Sequence, residues 1–211
     1  MKIAVFGATG GIGKFVVKHA LKNGYEVNAY VRNADKVKIE NKNLNIFVGQ
    51  VSEYNKIKEV INGCDAVIIA LGISMKFGYE DIDAIVAHKN IIKAMKETNV
   101  LRLIDWSTPS ISFKEDKASF TTIVPGIMAS LFLPKAKKVL KEVNNIVIDS
   151  NLDWTIVRFM APKDSPFTNK IKVGFGDIKM NFNISREDIA YFMVSQIKDN
   201  KYLHSMPIIG S

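Results

Sequence analysis

The sequence predicts an α/β fold, a doubly wound parallel sheet in a single domain over residues 1–211. Three observations carry this. Short apolar runs alternate with amphipathic segments from the first residues onward: KIAVFG, FVVKHALKNG, EVNAYVR. The runs are β-branched and apolar at successive positions, as strands covered on both faces must be. The first run passes directly into a glycine-rich stretch, GATGGIG, at Gly7 to Gly13. With 47% hydrophobic and 24% charged residues, 211 residues suffice for one domain with a sizeable core.

The elements follow in order. After the glycine stretch and its helix come strands in EVNAYVR, NIFVGQV, DAVIIALG, LRLIDWST and WTIVRF. Ser52 is placed to cap a helix over SEYNKIKEVING, which Gly63 ends. A third helix is expected from about Asp81 to Thr98, with Ile82, Ile85, Val86, Ile92 and Met95 as its apolar stripe. Pro134 suits the first turn of a helix reaching about Ser150. Ser185 with Asp188 forms a capping box for SREDIAYFMVSQI. Segments 73–80, 109–133 and 162–183 read as irregular, each following the carboxyl end of a strand, where ligands bind in open α/β sheets.

Composition narrows the partners. The net charge of +8 is spread along the chain, with one dense cluster from Lys135 to Lys141, so nucleic-acid binding is not expected. Cys64 stands alone, which excludes an internal disulfide and fits a reducing, cytoplasmic setting. No export signal is read at the N-terminus. The longest apolar stretch, Ile123 to Leu133, contains Pro125 and Gly126 and falls short of the roughly 20 residues that span a bilayer, so no membrane partner is expected. A small-molecule substrate and a monomer or homodimer complete the expectation.

A glycine loop between a strand and a helix is a phosphate cradle. Gly7 permits the tight turn, Gly10 and Gly11 let the backbone approach a pyrophosphate, and Gly13 allows close helix-to-strand packing; Thr9 and Ile12 belong to the same cradle. The helix then offers unpaired N–H groups to negative charge, the arrangement of a dinucleotide-binding Rossmann fold. At the end of the second strand, where an acid would bind a free ribose 2′-hydroxyl, stands Arg32, followed by Lys36 and Lys38. A guanidinium there can grip a 2′-phosphate bidentately, which favours NADP (NADPH) over NAD. The competing reading of Arg32 is an ordinary surface cation.

The stretch KIAVFGATGGIGKFVVKHALKNGYEVNAYVRNADKV resembles the start of the atypical short-chain dehydrogenase/reductases of the NAD(P)H-binding group, which includes biliverdin-IXβ/flavin reductases and nitrogen-metabolite-repression-type regulators. INGCDAVIIALG, HKNIIKAMKETNVLRLIDWST, SNLDWTIVRF and ISREDIAYFMVSQIKDNKYLHSMPIIG continue the resemblance in order, most weakly over 109–133. The resemblance implies that Gln50 and Val51 border the adenine, with Gln50 standing where the group usually has Asp. It implies that Ala70, Leu71 and Gly72 pass beside the cofactor and that Ser107 lies beside the nicotinamide. Phe159, Met160 and Ala161 are implied on the nicotinamide's other side, and Lys138, with Glu142, as a remnant of the group's ribose-binding lysine and its glutamate.

Carbonyl reduction needs a proton, which typical members of this superfamily take from a Y-x-x-x-K tyrosine downstream of the serine. Tyr54 and Lys58 have that spacing but precede Ser107, and after Ser107 the next tyrosine is Tyr191. Ser107 is therefore a catalytic candidate without its partner, better suited to holding a strand end or a cofactor. His19 and His88 read as packing or surface residues, and Trp106 and Trp154 as core before substrate stacking. A flavin, quinone or conjugated tetrapyrrole can accept hydride into a delocalised system and collect its proton from solvent. The leading expectation is an NADPH-dependent reductase of such an acceptor. A cofactor-binding redox sensor and a sugar epimerase or dehydratase are the alternatives.

Overall fold

The computed structural model describes residues 1–74, 78 and 80–211. Six parallel strands form the expected sheet: β1 (Lys2–Phe6), β2 (Glu26–Val31), β3 (Leu44–Val48), β4 (Ala66–Ile69), β5 (Arg102–Ser107) and β6 (Asp153–Arg158). Their order is β3-β2-β1-β4-β5-β6, reversing at β1, with Val5 paired to Ala29 on one side and Ile68 on the other. This is the doubly wound Rossmann order, and its topological switch point lies at the carboxyl ends of β1 and β4.

Helices cover both faces. On one lie α2 (Tyr54–Ile61), α3 (Ile82–Glu97) and α5 (Pro134–Ile148), packing Ile57, Ile91, Met95 and Val143 onto Phe6, Ile69 and Leu103. On the other lie α1 (Gly13–Lys22) and α6 (Arg186–Ser195), packing Val16, Ala20, Ile189 and Met193 onto Val5, Ile68 and Ile104. Each wholly buried Ile or Met contributes about 1.5–3 kcal/mol, which is why these strands carry no polar alternation.

Asp81 caps α3, its carboxylate accepting from the N–H of Ala84 at 3.3 Å and of Ser74 at 2.9 Å. Pro134 opens α5, and Gly63 follows α2 with φ +73. Ser185 caps α6, accepting from Asp188 N–H at 2.9 Å. The Asp188 carboxylate does not complete the box; it receives the Ser185 hydroxyl and the N–H groups of Thr168 and Asn169, tying down the preceding loop. Ser52 does not cap α2: Glu53 holds that position, with no side-chain bond to the helix.

Segment 109–133 is a second correction, because it contains α4 (Phe120–Phe132), which runs through Pro125 and Gly126. Ser119 starts the helix by donating its N–H to Thr122 Oγ1 at 3.1 Å. Proline removes one ladder bond, and Pro125 offsets this by being the one buried residue of α4. Segment 162–183 also holds short strands: β7 (Pro162–Lys163) pairs with β9 (Ile184–Ser185), and β8 (Lys172–Gly174) runs antiparallel to β10 (Ile208–Gly210), extending the sheet beyond β6. Strands this short present too few residues for a periodic signal. Among the described residues, no helix is long and apolar enough to cross a membrane.

Candidate active site

The glycine loop shows the geometry its spelling predicts. Gly7 adopts φ +84, and its carbonyl accepts from Gly10 N–H at 2.9 Å, closing the turn. A β-carbon on Gly7 would collide with the Ala70 carbonyl, and one on Gly13 with the Gly7 carbonyl. Both glycines are therefore sterically obligatory. The first turn of α1 has no side-chain cap; the N–H groups of Lys14, Phe15 and Val16 bond the Gly10 and Ile12 carbonyls, so a ligand would meet the backbone of the glycine loop that precedes them.

A cavity of about 770 Å³ opens from Gly10, Gly11 and Ile12 across the carboxyl ends of the central strands. β4 contributes Ala70 to Ile73, β5 contributes Trp106, Thr108 and Ser110, and β6 leads into Phe159 to Pro162. α4 closes it with Phe120, Val124, Met128 and Phe132, and α5 with Ala136, Lys137 and Leu140. The volume suits a nucleotide portion together with a small planar molecule.

Its walls are almost entirely apolar. Trp106 and Phe159 stack with ring centroids 5.5 Å apart, and Trp106 Nε1 is engaged by the Leu71 carbonyl at 2.7 Å. Trp106 thus belongs to the site as well as the core, whereas Trp154 packs edge-on against Phe113 and His204 in the interior. The Thr108 and Ser110 hydroxyls face each other at 2.6 Å. Two cations border the cavity, Lys137 and Arg186. Arg186, at the first position of α6, lies over Gly11 so closely that a β-carbon there would stand 2.9 Å from its Nε; its other partner is Asp164, at 2.7 Å. No tyrosine among the described residues lines the cavity; Tyr79 lies outside them.

The structure brings Gly10, Gly11, Ile12, Ala70, Leu71, Gly72, Phe159, Met160 and Ala161 to one cavity. Ala161 holds φ +45, a conformation non-glycine residues adopt rarely and one that clusters at functional sites. Gly7, Thr9 and Gly13 lie in the loop behind it. Two other candidates are each displaced by one residue. Ser107 is fully buried, its hydroxyl accepting from Asn144 Nδ2 at 2.8 Å, and its neighbour Thr108 faces the cavity. Lys138 points to Glu80 at 2.9 Å while Lys137 borders the cavity, and Glu142 pairs with Lys89 instead.

Arg32 is exposed just beyond β2, and Lys36 and Lys38 line a separate groove beside α1, with Thr9 and Lys14. Gln50 and Val51 lie beyond β3, where their carbonyls accept from Tyr30 at 2.8 Å and Asn90 at 2.9 Å. Tyr54 and Lys58 lie away from the cavity. Burial and the Glu97 carboxylate push the Tyr54 phenol up to about 12, and Lys58 bonds Glu97 at 2.7 Å, the reverse of an activated pair. Burial likewise pushes the Cys64 thiol up to about 11, which suits packing and not nucleophilic work.

A protein-family model described as NAD(P)H-binding matches residues 7–200, from the glycine loop through α6. The chain belongs to the NAD(P)H-binding family. It is an NAD(P)-binding protein with the Rossmann fold. Its relatives include isoflavone reductase homolog A622 of Nicotiana tabacum, 28% identical over 98% of this chain and 68% of that one. A proposed epimerase from Bacteroides thetaiotaomicron superposes with a TM-score of 0.80 at 27% identity, over 99% of this chain and 96% of that one. A short-chain dehydrogenase/reductase from Veillonella parvula, solved in complex with NADP, shares the fold, with a TM-score of 0.77 at 17% identity over 100% and 94% of the two chains.

Family position alone did not reveal Arg186, Thr108, Ser110 or α4. Arg186 had a sequence signal, since the residue after a Ser cap is set at a helix N-terminus beside the cleft. Arg158 had none: buried at the end of β6, it donates to Asp116 at 2.5 and 2.8 Å and to the carbonyls of Ile111 and Met206 at 3.0 and 2.7 Å, fixing the loop that leads into α4.

Proposed function

We propose that the protein is an NADPH-dependent reductase that passes hydride to a planar, conjugated acceptor of the flavin or quinone class, without a tyrosine–lysine pair. The observation that carries this is the cavity itself: it joins the glycine loop to an apolar, aromatic-walled chamber lined by no described tyrosine, histidine or carboxylic acid, with the Lys137 ammonium engaged by the Gly126 carbonyl and Ser130. An acceptor that delocalises the incoming charge needs little more than orientation, which a stacked Trp106–Phe159 pair and a fitted apolar wall provide.

In this reading Gly7, Thr9, Gly10, Gly11, Ile12 and Gly13 hold the pyrophosphate, with the Arg186 guanidinium over it. Arg32 meets the 2′-phosphate, and Gln50 and Val51 border the adenine. The cofactor supplies the hydride when bound. Phe159, Met160 and Ala161 hold one side of the nicotinamide position, and Ala70, Leu71 and Gly72 pass along it. Thr108, in place of Ser107, presents a hydroxyl to the cavity, and Lys137, in place of Lys138, fastens α4 by donating to the Gly126 carbonyl at 2.9 Å and Ser130 Oγ at 2.7 Å. The α4 wall excludes water from the reacting faces.

The test is an acceptor comparison. NADPH oxidation is followed with menadione, FMN and a simple aliphatic aldehyde. Turnover with menadione or FMN and none with the aldehyde is expected. Tight NADPH binding with no consumption in the presence of either planar acceptor overturns the reading in favour of a cofactor-bound sensor, and reduction of the aldehyde overturns the claim that no protein acid is needed.

A further inference from the structure

The cavity accounts for only one side of α4. Phe120, Val124, Met128 and Phe132 face inward, while Ile123, Ile127 and Leu131 recur every fourth residue along the outer side and are 50%, 53% and 67% exposed. Phe120 and Phe132, at the two ends, are themselves 75% and 58% exposed despite touching the cavity. A helix that is apolar all round belongs in a protein core or a lipid phase, and α4 has a core on one side only.

The segment that carries this stripe has one sign of charge. Residues 118–134 carry no charged side chain, Lys117 and Lys135 bracket them, and Lys137, Lys138 and Lys141 follow, with no acidic residue anywhere from 117 to 141. Asp116, just before the segment, is consumed by the buried Arg158; Glu80 pairs with Lys138 and also faces Lys135, and Asp177 faces Lys117, which leaves the lysines of the segment in excess. The chain as a whole carries +8.

We infer that α4 docks the protein on an anionic lipid bilayer, laying Ile123, Ile127 and Leu131 into the interface while Lys117, Lys135 and Lys141 meet the headgroups. Apolar side chains flanked by lysines bind such surfaces through buried area and charge together. A second copy of the chain is the poorer occupant. Packed in either direction, α4 on α4 would bring a lysine-bearing end against a lysine-bearing end, with no acid in the segment to compensate. The length criterion that excludes a membrane-spanning helix does not bear on a helix lying in the interface plane. Docking also places the cavity wall formed by Phe120 and Phe132 at the lipid boundary, a route by which an apolar molecule reaches the chamber without crossing water.

The experiment is flotation of the purified full-length protein, without cofactor, on phosphatidylcholine vesicles with and without about 30 mol % phosphatidylglycerol. Co-flotation with the anionic vesicles only is expected, weakening with added salt. Ile127→Glu and Leu131→Glu, which lie outside the cavity, should each weaken it at least about tenfold while leaving the melting temperature and NADPH affinity unchanged. Lys117→Gln/Lys135→Gln should weaken it less and reduce the salt dependence. Absence of co-flotation overturns the inference, as does equal binding to neutral vesicles. A dimer in sedimentation velocity that Ile127→Glu dissociates, with no vesicle binding, assigns the stripe to a second copy instead.

Discussion

Asn144 Nδ2 donates to Ser107 Oγ at 2.8 Å, inside the protein and behind the cavity wall. The pair joins α5 to the end of β5, and Asn144 Oδ1 has no partner of its own. Ser107 is thereby a structural residue, and Ser107→Ala should destabilise the fold by about 1–3 kcal/mol because the amide would lose a buried acceptor. Urea unfolding measures this. NADPH turnover should change only modestly, and a loss of activity at unchanged stability would show that the serine acts on the ligand.

Gly10→Val should abolish NADPH binding while the protein still folds. A β-carbon there meets the Gly7 carbonyl at 3.1 Å and the Ala70 carbonyl at 3.7 Å, neither a collision, and a branched side chain would fill the space a pyrophosphate needs. Gly13→Ala should instead compromise folding, since its β-carbon would collide with the Gly7 carbonyl. Isothermal titration for the first variant and thermal melting for the second separate the two effects.

Arg32→Ala should reduce the preference for NADPH over NADH by about 10- to 100-fold, the loss expected for one charged hydrogen-bonded contact. Affinities for both cofactors in both proteins decide it. Equal affinities in the unmodified protein would show that Arg32 serves only solvent.

His88 should make stability depend on pH. It is buried, which opposes its charge, but the Asp105 carboxylate at 3.1 Å outweighs this, aided by the Ala84 carbonyl at 2.6 Å, and its pKa stands above the ordinary value. Both partners are acceptors, so both ring nitrogens must carry protons. A raised pKa means that the stabilisation is fully present below about pH 6.5, the unfolded value, and is lost as pH rises through the folded value. Urea midpoints should fall across that range, and His88→Gln should flatten the dependence. A pH-independent difference between the two proteins would contradict the pairing.

The repeating elements of this fold were legible because their signals are local. β1 through β6 show as apolar runs, and Gly7, Gly10 and Gly13 show as the turn between a strand and a helix. The site was legible only in outline. Ser107 and Thr108 are adjacent in sequence, and which of them faces the cavity depends on Asn144, 37 positions away from Ser107. Lys137 and Lys138 differ in the same way, one turned to α4 and the other to Glu80. α4 was missed because Pro125 and Gly126 are strong breakers in isolation, and the burial of Pro125 that offsets its lost ladder bond exists only in the folded chain. Arg158 gave no signal because its role rests on carbonyls contributed by distant loops.

If hydride passes from the nicotinamide to a planar acceptor without a tyrosine acid, then Tyr79, the last tyrosine before β5, is dispensable for transfer. The direct measurement is single-turnover transfer from NADPH deuterated at the nicotinamide C4 to menadione, in the unmodified protein and in Tyr79→Phe. A primary isotope effect is expected in both proteins, with rates within about twofold of each other. Loss of transfer in Tyr79→Phe with NADPH affinity retained would contradict it and return the site to tyrosine-dependent chemistry.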